Sequence, residues 1–185
     1  MVITKLSRVY AKSLIDLAEE QKSVEAVKKD LEMIGRTLKS SRDLELFLES
    51  PLLKADKKKE VLQAIFEKKV GKLTLHFLNL LVNHGREGKL EAILFAFNAE
   101  YNVRNNIQEA TVTAAYTLSD KETKSIEEKL AKQLDKTIVL HQEVKPEILG
   151  GMSLRFGDNQ YDGTISGRLR AMRGQFKKNY YIPEI

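Results

Sequence analysis

The hydrophobic period of this chain first changes between residues 101 and 110, and that change limits what it can fold into. Up to Tyr101, apolar residues recur every three or four positions, the spacing that lines one face of a helix. From Ala110 the run Ala-Thr-Val-Thr-Ala-Ala-Tyr116 has the β-branched and alternating character of a strand. One sequence stretch cannot satisfy both periods, so two structural regimes are required. The expected class is α+β: an N-terminal six-helix bundle over residues 1–105, followed by a small α+β domain over 106–185. That second domain should hold a short sheet and two helices, ending in a basic helix and tail.

The first regime reads as six helices. Leu6, Tyr10, Leu14 and Leu17 form one stripe between Ile3 and Gln21, with Ala11, Ile15 and Ala18 beside it, so this helix has apolar surface for two neighbours. Ser23 is placed to cap a second helix carrying Val24, Val27, Leu31, Ile34 and Leu38. A short third helix holds Leu44, Leu46, Phe47 and Leu48 before Ser50-Pro51 breaks it. Lys54 to Lys69 is a fourth, with Val61, Leu62, Ile65 and Phe66 inward and Lys57, Lys58 and Lys59 outward. Leu73 to Val82 is apolar around most of its circumference, which suits a helix inside a bundle or one that offers its spare face to a partner. The turn Asn83-His-Gly-Arg86 ends it, with Gly85 at the position just past the C-cap. A sixth helix carries Leu90, Ile93, Leu94, Phe97 and Tyr101 and runs out near Asn105-Asn106.

The second regime is more tightly punctuated. Ser119-Asp-Lys-Glu122 is a capping box that opens a helix with Ile126, Leu130 and Leu134 inward, and Ile138-Val139-Leu140 is a further strand. Between Leu149 and Arg173 the chain packs Gly150-Gly151, an alternating Met152-to-Phe156 strand, a Gly157-Asp158-Asn159 hairpin turn and an Asp162-Gly163 break. Thr164 then caps a helix with Ile165, Leu169, Met172 and Phe176 on one stripe. Arg168, Arg170 and Arg173 lie between those apolar positions.

Composition narrows the chemistry. The chain has no cysteine and three scattered histidines, His76, His84 and His141, so thiolate catalysis, disulfides and a Cys- or His-based metal site have no ligands to build on. The net charge of +5 is spread thinly: residues 1–105 hold 19 basic and 15 acidic side chains, the remainder 12 and 11. That fits contact with an acidic partner or an anionic surface better than the concentrated stripe of a nucleic-acid binder. A basic nucleic-acid-associated module nevertheless stands as the alternative reading. No apolar run reaches the roughly 20 residues that span a bilayer. Asp158 and Asp162 with Arg155 and Arg168 could be imagined as acid-base and anion-binding groups, yet no histidine or nucleophile accompanies them. Aspartate before glycine is the ordinary residue of turns. Gly150-Gly151 is followed by a strand, so it lacks the helix N-terminus on which phosphate cradles depend.

The segment VKPEILGGMSLRFGDNQYDGTISGRLRAMR, from Val144 to Arg173, resembles the C-terminal signature of the delta subunit of F-type ATP synthases, the counterpart of the mitochondrial oligomycin-sensitivity-conferring protein. Arg8-Val-Tyr10-Ala11-Lys12 with Asp16-Leu-Ala18 is similar to the first helix of that family, and Asn83-His-Gly85-Arg86 to the turn after its fifth helix. Val9 stands where proline is common in the family, and the tail from Gln175 to Ile185 resembles no element of it.

The resemblance implies a stator subunit with no catalytic residue, cofactor or metal of its own, linking the catalytic head to the peripheral stalk and resisting rotary torque during proton-driven ATP synthesis. By that analogy the helical domain grips the N-terminal segments of the alpha subunits, and the second domain holds the b subunits of the stalk. Helix-in-groove docking fits the surplus apolar surface of the first and fifth helices, with Tyr10, Ser13, Leu14 and Leu17 and Leu78, Leu81 and Val82 as candidate groove residues. Arg168, Arg170 and Arg173 are candidate stalk contacts. Neither nucleic acid nor direct membrane insertion is expected. The N-terminus, read as untargeted, points to the cytoplasmic face of a bacterial inner membrane or a plastid-encoded equivalent.

Overall fold

A computed structural model describes residues 4–50 and 53–177, with side chains through residue 174. Ile3, Pro51, the Phe176 side chain and the tail after Lys177 lie outside the described residues. Contacts within the chain separate two compact units, Met1–Asn102 and Val103–Ile185.

The first unit is helical: α1 (Lys5–Glu20), α2 (Val24–Ser40), α3 (Arg42–Glu49), α4 (Ala55–Phe66), α5 (Lys72–Asn83) and α6 (Leu90–Arg104, its last two residues counted with the second unit), with a 3-10 turn at Glu87–Lys89. Its interior is built from Ile15, Ile34, Leu62, Phe66, Leu78, Leu81, Ile93 and Phe97, all essentially inaccessible to water. α2 is the base of the unit, packing against α1, α3 and α5. The turn after α5 is a Schellman closure: Gly85 takes a left-handed φ of +62°, its N–H bonds the Val82 carbonyl, and the Arg86 N–H bonds Leu81. That is the role expected of Gly85. His84 is the exposed C-cap residue of the same helix.

Two expectations for this unit are corrected. Ser23 occupies the N-cap position of α2, but its hydroxyl makes no capping bond and donates instead to the Ala18 carbonyl at 3.5 Å. Lys58, expected outward with Lys57 and Lys59, is buried at 3% exposure. It lies four and eight residues before Leu62 and Phe66, so helical spacing puts it on their inward face. Its ammonium donates to the Leu48 carbonyl at 2.7 Å and to Glu87 Oε1 at 2.6 Å, tying α4 to the end of α3 and to the 3-10 turn.

At the other end of the unit Tyr101 of α6 donates its phenolic hydrogen to Glu25 of α2, and Lys28 stands 4.1 Å over its ring. That hydrogen bond, reinforced by burial, pushes the phenol up to about 12.

The second unit contains a four-stranded sheet in the order β2-β1-β3-β4, with β1 at Ile107–Ala114, β2 at Thr137–Val144, β3 at Met152–Phe156 and β4 at Asn159–Asp162. α7 (Asp120–Leu134) connects β1 to its parallel neighbour β2, while β3 and β4 form an antiparallel hairpin. β1 starts at Ile107, three residues before the alternating run, because pairing with β2 begins at Ile107↔Thr137. Inward Ala110, Val112 and Ala114 leave room for Ile126 and Leu130 of α7, with Phe156, Leu118 and Leu140 completing the core. The Ser119–Glu122 capping box forms in both directions. α8 (Ile165–Lys177) closes the described chain. The whole is a mixed helical and sheet fold of the α+β class. No helix among the described residues is long and apolar enough to cross a membrane.

Lys58→Ala leaves the Glu87 carboxylate buried without its cation and is expected to destabilise the protein by about 3 kcal/mol or more, read from urea unfolding. Replacing both charges together, as in K58M/E87M, is expected to recover most of that loss. For Tyr101 the sign follows from its raised folded value. The stability it contributes is complete below pH 10 and is lost as pH rises towards 12. Tyr101→Phe is expected to remove that alkaline decline in unfolding free energy while leaving the other titrations in place.

Candidate partner-binding groove

α1 begins at a capping box in which Thr4 and Ser7 bond each other's backbone N–H groups, at 3.2 and 3.0 Å. Its inward face is Ser7, Ala11, Leu14, Ile15 and Ala18. A second stripe, Val9, Tyr10, Ser13 and Leu17, turns away from that interior, and Leu17 stays 41% exposed. α5 repeats the pattern. Thr74, Phe77, Leu78, Leu81 and Val82 are buried, while Leu73, His76 and Leu80 remain accessible and Leu80 is 42% exposed.

The two outward stripes face each other across a groove of about 350 Å³, lined by Val9, Tyr10, Ser13, Leu14, Leu17, Leu73, His76, Phe77 and Leu80. Tyr10 and Phe77 meet edge to face across it, with ring centres 6.4 Å apart. The polar groups on its rim are partly self-satisfied. Ser13 Oγ donates to the Val9 carbonyl at 3.0 Å, and His76 Nδ1 lies 2.8 Å from the Lys72 carbonyl, which makes Nδ1 the protonated nitrogen. Apart from Ser13 and His76, what the walls present is hydrocarbon and aromatic surface.

The structure brings Tyr10, Ser13, Leu14 and Leu17 together on one wall of this groove, as the sequence reading grouped them. It sets Leu78, Leu81 and Val82 elsewhere: they are 1–2% exposed in the interior of the helical unit and line no part of the groove. The α5 contribution comes from Leu73, His76, Phe77 and Leu80 instead. Their spacing of three and four was legible in the sequence. On a helix apolar nearly all round, hydrophobicity alone does not say which stripe faces in.

In the second unit, Arg168, Arg170 and Arg173 are all exposed on α8. Ile165, Leu169 and Met172 form an apolar stripe between them, at 48, 44 and 52% exposure. The start of α8 explains the glycines and aspartates ahead of it. Asp162 Oδ1 accepts from the Thr164 N–H and hydroxyl at 2.9 and 2.6 Å, and Thr164 Oγ1 accepts in turn from the Gly167 N–H at 3.0 Å. These bonds to Thr164 hold the Asp162 carboxyl below its ordinary range, with Arg170 adding a smaller pull. A side chain at Gly167 would meet Asp162 Oδ2 at 2.6 Å, and one at Gly151 would meet the Gly163 carbonyl at 2.4 Å. Asp162 is thus a capping group, and Asp158 sits in the β3–β4 turn. Among the described residues no three His, Asp or Glu side chains gather into a metal-ligating set.

Comparison with known proteins agrees with this architecture. The model of the family described as ATP synthase delta (OSCP) subunit matches residues 6–176. Curated relatives named ATP synthase subunit delta include one from Christiangramia forsetii, 36% identical over 183 residues and covering 98% of both chains. Another, from Chlorobium luteolum, is 36% identical over 90% of this chain and 92% of its own. A chloroplastic delta subunit from Emiliania huxleyi is 34% identical over 92% of this chain and 95% of its own. Among solved structures, a chain of the Toxoplasma gondii mitochondrial ATP synthase hexamer shares the fold at a TM-score of 0.73, covering 95% of this chain and 99% of that one at 23% identity. With a family model spanning nearly all of its length and relatives at 34 to 36% identity along it, the chain belongs to the ATP synthase delta (OSCP) subunit family.

Proposed function

We propose that this protein is the stator subunit of an F-type ATP synthase that joins the catalytic head to the peripheral stalk, without chemistry of its own, and holds the two against rotary torque. The observation that carries the reading is the open apolar groove between α1 and α5 in a chain of the delta-subunit family. A joint under torque needs large apolar contact, because exposed ion pairs contribute little and are screened by salt. The groove supplies such a surface for one amphipathic helix, and an N-terminal segment of an alpha subunit is its occupant in this reading. Six helices, α1 to α6, then form the head-binding bundle of residues 1–105. The domain of residues 106–185 takes the b subunits, with the apolar stripe and arginines of α8 set against acidic amphipathic helices. The protein sits peripherally on its complex, at the cytoplasmic face of a bacterial membrane or the plastid equivalent. The nucleic-acid alternative draws no support from the relatives.

Titrating the full chain with a synthetic peptide of the alpha-subunit N-terminus is expected to give saturable heat. Leu17→Asp and Leu80→Asp are each expected to weaken binding at least about tenfold while costing about 1 kcal/mol of unfolding free energy, because each side chain is part-exposed and the new carboxylate sits in the last turn of its helix. Leu78→Ala, in the interior, is expected to cost about 2–5 kcal/mol of stability. No saturable binding by the intact protein refutes the groove assignment.

For the second unit, Leu169→Asp combined with Met172→Asp is expected to leave the fold intact and to abolish co-purification with the b subunits. Undiminished capture of the stalk by that variant rules α8 out as the contact.

A further inference from the structure

The α5 wall of the groove is held from behind. α5 starts after Gly71, which occupies the N-cap position with φ −67° and ψ 159° and brings no side-chain acceptor. Helix N-termini leave several N–H groups without intrahelical partners, and a capping side chain normally takes one of them. Here the acceptor comes from the middle of α2, 41 residues away: Asp30 Oδ2 takes the Gly71 N–H at 2.7 Å. The same oxygen takes the hydroxyl of Thr74 at 2.7 Å. Thr74 is the third residue of α5 and is completely buried, so this bond also satisfies a hydroxyl that water does not reach. The arrangement is a capping box divided between two helices. In the ordinary box a carboxylate at the third helical position reaches back to the N-cap N–H; here threonine holds that position and shares the carboxylate of another helix.

Two further features fit that division. Aspartate is a poor residue for a helix interior, because its side chain competes for backbone hydrogen bonds, yet Asp30 lies seven residues into α2. A side chain at Gly71 would place its Cβ 3.3 Å from Asp30 Oδ2, so glycine leaves the space that the carboxylate fills. α2 packs against both α1 and α5, the two helices that form the groove. Leu73, His76 and Phe77, within the first two turns beyond the cap, are groove residues, whereas Asp30 lines no part of the groove.

We infer that Asp30 is a positioning residue for the groove. By capping α5 from α2 it orders the first turns of α5, and so sets where Leu73, His76 and Phe77 stand opposite Tyr10 and Leu17. Affinity for the helical occupant then depends on a carboxylate that never touches it. This inference rests on the docking reading of the groove.

The test uses the full chain and the alpha-subunit N-terminal peptide, with calorimetry, amide hydrogen exchange over residues 72–77 and urea unfolding on each variant. Asp30→Ala raises the intrinsic helix propensity of α2, so a loss of binding cannot come from a weakened α2. It is expected to weaken the peptide about tenfold and to speed exchange in the first turn of α5 by a similar factor. The double variant D30A/G71S puts an acceptor at the N-cap itself, in the space the carboxylate vacates, and is expected to return affinity to within about threefold of the unmodified chain. Leu38→Ala removes interior packing from α2 away from the groove and is expected to lower stability with affinity unchanged. Binding by D30A equal to that of the unmodified chain overturns the inference alone, as does failure of G71S to rescue it or an equal loss in L38A. Failure of the unmodified chain to bind overturns the docking reading and the inference with it.

Discussion

A helix can turn only part of its circumference towards one core, and α1 and α5 carry more apolar surface than that part can hold. The inward stripes of the two helices, centred on Ile15 and on Leu78 and Leu81, are sealed inside the helical unit. Their second stripes approach each other where Tyr10 meets Phe77, and leave a largely hydrocarbon groove. Exposed apolar surface that is contiguous and concave is costly in water, and covering it is what makes association favourable. The proposed role follows from that constraint. A stationary link needs contact by area, and area is what these two stripes provide.

Polar groups determine where the apolar surfaces stand. In the helical unit, polar contacts tie together elements that are far apart in the chain. Lys58 links α4 to the end of α3 and to Glu87, Asp30 links α2 to the start of α5, and Tyr101 links α6 to the start of α2. Lys58 and Thr74 are the buried members of these contacts, and there an unpaired group costs more than a pair gains. In the second unit the Asp162–Thr164–Gly167 relay caps the start of α8, and the glycines around it are there because backbone and carboxylate come too close for a Cβ.

Much of this was legible in the residues. Helix positions followed from the three-to-four spacing, and the hairpin, the Ser119 capping box and the Gly85 turn each came from local chemistry that acts within a few residues. The groove was half legible. α1 displays two distinguishable stripes, because Ala11 and Ala18 mark the close-packed side and Tyr10, Ser13 and Leu17 the other. α5 has no polar face to mark its outward stripe, so hydrophobicity groups Leu78, Leu81 and Val82 with the groove, whereas they lie in the interior. Lys58 shows the opposite conflict: its charge argues outward while its register with Leu62 and Phe66 argues inward. Register prevails because Glu87, 29 residues further on, supplies the countercharge. The Asp30 cap had no local signature, since its partners are more than 40 residues away.

The sequence by itself determined the elements, their order, the change of regime near residue 105 and the family likeness. All of these depend on interactions between near neighbours or on residue identities read in line. Tertiary structure alone decided which face of an all-round apolar helix is buried, which of three consecutive lysines goes inside, and which carboxylate caps a helix that has no cap of its own. Those outcomes depend on groups far apart in the chain meeting at hydrogen-bond distance, and no periodicity encodes that meeting.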